Sequence, residues 1–254
     1  MIPLDDRGLL LGDGLFETML AQDGALPWIE SHLDRMAAGC SVLGLPSLDR
    51  EAARAACLAA APAAGRAAVR LTLTAGSGGR GLDRPGEPEL RLWATSAPSP
   101  LPTGPATLII ARARRNEGSP ASRLKTLSYL DNVLARAEAR SAGADEAVML
   151  NNAGHVACAG AANLFWISGE TVFTPALDCG VLAGITRARL LEMAPDLSVR
   201  IEETVADRTA LQASDAVFLT NSLIGVRAVS HLDGRVLPPH PLVARLSEGL
   251  AARG

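Results

Sequence analysis

Lysine is almost missing from this chain: of 24 basic residues, only Lys125 is a lysine and the rest are arginine. Acidic and basic residues are interspersed and the net charge is −3. No polybasic run or aromatic–basic stripe exists, which argues against a nucleic-acid partner. Cysteine is also scarce. Cys40, Cys57, Cys158 and Cys179 lie far apart with no CxxC pair, so neither a disulfide frame nor a zinc site is expected. They read as reduced thiols of a cytoplasmic protein. No apolar run approaches the roughly 20 residues that a spanning helix needs, so no membrane association is expected. The opening MIPLDDRG has no basic segment leading into an apolar one, and a secretory signal is not expected.

What is present suits a large apolar core. A length of 254 residues, 48% of them hydrophobic, fits one large domain or two small ones. A composition bias accounts for arginine replacing surface lysines, but not for the lysine that remains. Guanidinium stays protonated, so arginine cannot replace an amine that must lose its proton and form an imine. Lys125 is therefore a candidate nucleophile, although a loop lysine is ordinarily just solvated.

The patterning is mixed. Leu15 to Ala21 reads as a strand, residues 22–24 as a turn and Ala25 to Trp28 as a return strand. Ser31-His32-Leu33-Asp34 has the form of a capping box, opening a helix with Leu33, Met36, Ala37, Cys40 and Leu43 on one face and Gly44 at its end. Asp49 is placed to cap a second helix that stops before Pro62. Val69 to Thr74 alternates as a half-buried strand does, residues 76–81 form a Gly-rich turn, and strands are expected at 90–96 and 106–113. The polar stretch 114–121 reads as an interdomain loop, dividing a domain at 1–113 from one at 122–254. Beyond it the pattern predicts helices near 127–142, 184–194 and 208–213, and one at the C-terminus. Strands are expected at 146–150, 155–157, 164–167, 172–174, 199–203 and 216–220, with a hairpin at Asp233-Gly234. There is no regular βαβ alternation and no internal repeat. The class is α+β, with mainly antiparallel sheets in two lobes.

Several segments have chemical potential. Lys125 sits in a loop just before a helix, where a side chain can enter a cleft. Gly184-Ile185-Thr186-Arg187 opens a helix whose N–H groups suit a phosphate, or simply mark a cap. Thr220-Asn221-Ser222 ends an apolar strand, either as a turn or as donors to phosphate oxygens. Arg35 on the first helix has the fork that grips a phosphate. The glycine run at 76–81 lacks the following helix of a Walker loop. His32, His155, His231 and His240 are scattered, read as structural, and form no metal or Ser-His-Asp pattern.

Together these segments resemble the fold-type IV pyridoxal-phosphate enzymes: branched-chain and D-amino-acid aminotransferases and 4-amino-4-deoxychorismate lyases. The resemblance is carried by DRGLLLGDGLFET (5–18), HLDRM (32–36), LTAGSGGRG (73–81), LKTLSYLDNVLARAEA (124–139), GADEAVMLNNAGHVACAGAANLFW (143–166), TPALDCGVLAGITR (174–187) and VFLTNSLIGVRAV (217–229). GSGGRG, AANLFW and TNSLIGV are most similar to the lyase branch. The resemblance implies a small N-terminal α/β domain and a larger C-terminal domain with a barrel-like mixed sheet. Pyridoxal 5′-phosphate would lie between them, in a homodimer whose partner lends residues to the active site. Lys125 would carry the Schiff base. Arg35 would bind the phosphate, helped by Ile185, Thr186 and Ser222. Tyr129 would donate to the ring's phenolic oxygen, and Asn163 matches the asparagine of the pattern E-G-x-x-x-N. A small-molecule amino substrate is implied, with Arg115, Arg123 and Arg227 as candidates for its carboxylates.

Two departures stand out. Cys158 occupies the place of the glutamate that pairs with the pyridine nitrogen. A carboxylate there keeps the nitrogen protonated and makes the ring a strong electron sink, whereas a neutral thiol is a weak partner. Either the substitution is tolerated, with water or Ser/Thr neighbours taking over, or the sink is weakened, which favours elimination over transamination. The family also has a strand or hairpin before DRG, and this chain begins almost on that segment. The expected activity is that of a 4-amino-4-deoxychorismate lyase. The alternatives are a D-amino-acid or branched-chain transaminase, and a catalytically impaired homologue that still binds the cofactor.

Overall fold

The computed structural model describes residues 2–78 and 81–253. The chain divides into two compact units, Met1–Leu101 with Leu124–Ser128, and Pro102–Arg123 with Tyr129–Gly254. This division differs from a single break at 114–121. The strand over Ala106–Arg115 pairs with strands of the second unit, while the segment carrying Lys125 returns to the first. Backbone hydrogen bonds hold it there: Phe16 N–H donates to the Lys125 carbonyl (2.9 Å) and Leu127 N–H to the Gly14 carbonyl (3.0 Å).

The first unit contains α1 (Arg7–Leu11), β1 (Gly14–Gln22), α2 (Ile29–Leu43), α3 (Arg50–Ala60), β2 (Arg66–Thr74) and β3 (Arg91–Pro98). The three strands form an antiparallel sheet in the order β1-β2-β3, with β1 and β2 in register from Gly14↔Thr74 to Gln22↔Arg66. The alternation read for β2 is realised: Ala67, Val69, Leu71 and Leu73 are buried, and Arg70 is exposed. Leu33, Met36 and Cys40 of α2 and Ala53 and Cys57 of α3 cover that buried face. Each buried leucine or methionine stabilises by roughly 2 kcal/mol.

Gly44 ends α2 at φ 63°, and Asp49 caps α3 by accepting from Ala52 N–H at 2.9 Å. The capping-box reading is corrected, because α2 starts at Ile29 with Trp28 at its N-cap position and no side-chain cap. Asp34 accepts from Arg50 (2.7 Å) instead, so packing sets this terminus rather than a local cap. The expected return strand at 25–28 reduces to one bridge, Gln22↔Ala25.

The DRG and GDG segments are framing devices. Asp6 accepts from Gly8 N–H (2.8 Å) and Thr74 Oγ1 (2.9 Å). Asp13 accepts from Arg7 (2.8 Å) and Arg84 (2.6 Å). Gly14 is required by close approach: a Cβ there would stand 2.3 Å from the Leu73 carbonyl oxygen. Gly79 and Arg80 of the Gly-rich turn lie outside the described residues.

The second unit contains β4 (Ala106–Arg115), α4 (Pro120–Arg123), α5 (Leu130–Ser141), β5 (Glu146–Asn151), β6 (Val156–Ala159), β7 (Asn163–Ser168), β8 (Thr171–Pro175), α6 (Ile185–Met193), β9 (Arg200–Thr204), α7 (Arg208–Gln212), β10 (Ala216–Asn221), β11 (Gly225–Leu232), β12 (Arg235–Val236) and α8 (Pro241–Ala251). Its sheet runs β6-β5-β4-β11-β10-β7-β8-β9, with β12 beside β11. Three pairings are parallel (β11 with β4, β4 with β5, β8 with β9) and the others antiparallel. The sheet curls on itself: Val156 N–H at the start of β6 donates to Ala206 just past β9 (2.8 Å), and His155 bridges Asp207. Val148, Leu150, Leu164, Trp166, Val217 and Leu219 share one core cluster. Ala135 and Ala139 of α5 pack with Ala147, Met149 and Cys158 in another. The α+β, barrel-like reading therefore holds. Among the described residues, no helix is long and apolar enough to cross a membrane.

Candidate active site

In the first unit Lys125 lies along the free edge of β1, where Thr126 bridges Leu15. Its Nζ sits 4.3 Å from the centroid of the Phe16 ring, and the Arg70 guanidinium sits 3.8 Å from the same ring. Burial draws the Lys125 pKa down to about 8. The Glu17 carboxylate opposes the fall, while Arg35 and Arg70 reinforce it. At pH 7 about one molecule in ten then carries a neutral amine, against about one in 3,000 for an ordinary lysine.

Near Lys125 is a charged cluster in which Arg35 meets Glu17, a residue that sequence reading did not single out, and His32, which it read as structural. Glu17 falls on the apolar face of β1, with Leu15 and Met19, and is 1% exposed. It accepts from Arg35 twice, Nε to Oε1 at 2.8 Å and Nη2 to Oε2 at 2.6 Å. His32, one helical turn before Arg35, places Nδ1 2.6 Å from Oε2. A carboxylate is an acceptor only, so His32 carries its proton on Nδ1. Burial alone would raise the Glu17 pKa, but the Arg35 charge and the hydrogen bonds from His32 and Arg35 bring it down to about 2. Burial lowers the His32 pKa despite Glu17. The signal available in sequence was a glutamate in phase with buried residues at period two. Arg70, in phase with Thr72 opposite Phe16, was legible by the same rule.

In the second unit Asn163, Ile185, Thr186 and the Thr220–Ser222 turn converge. Asn163 pairs with Thr220 across β7 and β10. The Asn163 amide donates to the Leu182 carbonyl (2.9 Å) and so fixes the loop entering α6. A Cβ at Gly184 would meet the Asn163 Oδ1 at 1.8 Å, so a side chain there would displace the Asn163 amide. Asn221 donates to Ala161 (2.9 Å) and accepts from the N–H groups of Leu223 and Ile224, which sets the turn carrying Ser222. The hydroxyls of Thr186 and Thr220 are buried without a hydrogen-bond partner among the described residues. Gly184 gives α6 no side-chain cap, and first-turn N–H groups have no acceptor within a helix. Unsatisfied donors at a helix N-terminus fit a phosphate.

Cys158 and Tyr129 lie in the second unit too. Cys158 is buried, and that burial raises its pKa to about 11, with Arg115 pulling it down and Glu146 pushing it up. Arg115 is buried and donates to neutral acceptors: Asn132 Oδ1 (3.0 Å), the Gly180 carbonyl (3.3 Å) and the Ser122 carbonyl. Asn132 in turn donates to Gly160 (2.8 Å), tying α5 to the loop after Cys158. Tyr129, the single tyrosine of the chain, stands at the N-cap position of α5. Arg123 pairs with Asp178 (3.3 Å) and Arg227 with Asp145 (3.5 Å).

Comparison with known proteins gives this chemistry its family. Residues 14–232 match the model of amino-transferase class IV. A putative branched-chain-amino-acid aminotransferase of Methanocaldococcus jannaschii is 31% identical, over 91% of this chain and 83% of that protein. The aminodeoxychorismate lyase of Vibrio harveyi is 30% identical, over 90% of this chain and 86% of its own length. The crystal structure of 4-amino-4-deoxychorismate lyase from Pseudomonas aeruginosa superposes with a TM-score of 0.91 at 36% identity, covering 99% of this chain and 95% of that one. The chain therefore belongs to the class IV aminotransferases, the fold-type IV lyases and transaminases whose cofactor is pyridoxal phosphate.

Proposed function

We propose that this enzyme is a lyase of the 4-amino-4-deoxychorismate type, releasing pyruvate and leaving 4-aminobenzoate for folate synthesis. The observation that carries the reading is the buried thiol of Cys158, neutral at physiological pH, where the family pattern has a carboxylate. When bound, the cofactor supplies an electron sink to the substrate's α-carbon. A carboxylate at its ring nitrogen would strengthen that sink. A neutral thiol beside the cationic Arg115 does not, which penalises the proton shift of transamination more than an elimination.

Two sets of residues are proposed to hold the cofactor. In the first unit Lys125 binds it covalently and Arg35 binds its phosphate. In the second unit the N–H of Ile185 and the hydroxyls of Thr186 and Ser222 bind the phosphate. Tyr129 donates to the phenolic oxygen, Asn163 orders the loop into α6, and Cys158 faces the ring nitrogen. The lowered proton affinity of Lys125 suits it to take the substrate's α-proton as general base. Arg70, exposed on the Phe16 face, joins Arg115, Arg123 and Arg227 as a candidate for a substrate carboxylate. Of these, Arg115 is the least suited, since neutral groups of the fold already occupy its donors.

The test is direct. Purified enzyme given 4-amino-4-deoxychorismate is expected to release fluorescent 4-aminobenzoate. A transaminase of branched-chain or D-amino acids is the second reading, favoured by the similarity to the Methanocaldococcus protein. D-alanine, L-leucine or D-glutamate would then convert the cofactor's absorbance to that of its amine form, with no 4-aminobenzoate released. A cytoplasmic location accords with four free cysteines. We also propose a homodimer with a shared active site. The exposed Leu9, Leu10 and Leu11 of α1 give a second copy an apolar surface to cover, and sedimentation equilibrium tests this.

A further inference from the structure

We propose that Glu17 is a positioning residue, fixing the Arg35 guanidinium from beneath in the orientation that receives the cofactor's phosphate. The inference rests on the reading of Arg35 as the phosphate arginine. A two-point grip through Nε and Nη2 fixes the plane of a guanidinium as well as its place. One hydrogen bond would leave the plane free to turn. His32 approaches the same carboxylate from the preceding turn of α2, so the Glu17 side chain is itself held in one rotamer. The cluster sits on the apolar face of a three-stranded sheet, among Leu15, Met19 and Leu71. A buried ion pair there is weak support for stability, because hydrophobic residues of similar volume would often do as well. Holding a cation that must meet an anionic ligand gives such a pair a purpose that an apolar core would not serve.

The same carboxylate acts on Lys125. Among the described residues, the charged groups that act on that amine are Glu17 on β1, Arg35 on α2 and Arg70 on β2, with the titratable His32 of α2 beside them. Glu17 is the one acid among them, and it opposes the cations that push the lysine toward its neutral form. Cys57 of α3 also feels the carboxylate, but its own burial keeps it a thiol. Removing the Glu17 charge therefore loosens Arg35 and further lowers the proton affinity of Lys125.

Both consequences can be read without turnover. Binding of pyridoxal 5′-phosphate and of pyridoxal, which lacks the phosphate, is measured on wild type, Glu17→Gln and Arg35→Met. Glu17→Gln is expected to cut the preference for the phosphorylated form by about tenfold or more, while pyridoxal binding changes by less than about threefold. An unchanged preference in Glu17→Gln, with a collapsed one in Arg35→Met, overturns the inference and leaves the phosphate reading intact. An unchanged preference in Arg35→Met removes both. The single lysine allows the second measurement. In the full chain freed of cofactor, ¹³C reductive methylation labels only Lys125 and the N-terminus, and its NMR titration gives the lysine pKa. Glu17→Gln is expected to lower it by about one unit, and an unmoved titration overturns the electrostatic half. If Glu17→Gln does not fold, Glu17→Asp keeps the charge but shortens the reach. It is then expected to hold the Lys125 titration near wild type and still lose phosphate preference, and a wild-type preference would overturn the inference.

Discussion

Each unit sets an arginine near a proposed cofactor-binding residue, half-buried Arg35 in the first and buried Arg115 in the second, and the two are satisfied in opposite ways. Arg35 meets an ionised carboxylate, with His32 sharing the load. Arg115 meets carbonyl and amide oxygens, with the thiol of Cys158 and the Glu146 carboxyl nearby. The first cluster is close to neutral as a whole. In the second, the arginine's hydrogen bonds go to neutral groups and no carboxylate grips it directly. The difference teaches that one fold can hold an arginine either by an ionised carboxylate, which sets its orientation, or by neutral backbone and amide oxygens, which leave its charge to act on its surroundings.

The largest expected effect comes from the proposed Schiff-base residue of the first unit. Lys125→Ala should abolish the borohydride-fixed cofactor adduct and lower turnover by about 10³-fold or more. A retained adduct would place the covalent link elsewhere, although the chain has no second lysine. Breaking the balanced cluster comes next. Arg35→Met strands an ionised Glu17 in the core and should cost about 3–5 kcal/mol of stability by urea denaturation, whereas Arg115→Met strands only neutral acceptors and should cost about 1–3 kcal/mol. Equal losses would erase the contrast.

Acid sharpens the same point. The folded pKa of Glu17 lies at about 2, below its ordinary 4.5. Its contribution is therefore fully present above pH 4.5 and lost as pH falls toward 2, an effect of about 3 kcal/mol in apo-enzyme stability that Glu17→Gln should remove. Cys158→Glu puts a carboxylate where the second cluster has a thiol. Transaminase half-reaction rates should rise about tenfold while 4-aminobenzoate release does not. Wild-type transaminase turnover equal to or above that of the variant would sink the weak-sink reading. The smallest effect is expected from Asn163→Ala, which frees the Leu182 carbonyl and should cost about 1 kcal/mol with modestly weaker cofactor binding.

Much of the frame was legible along the chain. Period-two alternation located β2 with its buried face, and Gly44 and Asp49 marked helix ends through local conformation and capping. The α2 start was misread because Ser31 and Asp34 fit a cap locally while packing and Arg50 decided otherwise. The short helix α1 carried no periodic signal, since five residues give too few turns to show one. Nothing local in the sequence assigns Asp6 and Asp13 a role, because it is tertiary hydrogen bonds to Thr74, Arg7 and Arg84 that make them structural.

By itself the sequence determined the family, the fold class, the lone amine and the missing carboxylate at Cys158, because each depends on residue identity and spacing alone. Only the tertiary structure decided what surrounds that amine. Glu17 and Arg35 are 18 positions apart and lie on a strand and a helix. Their bond exists only because the apolar faces of β1 and α2 are pressed together, and that same burial moves the proton on Lys125.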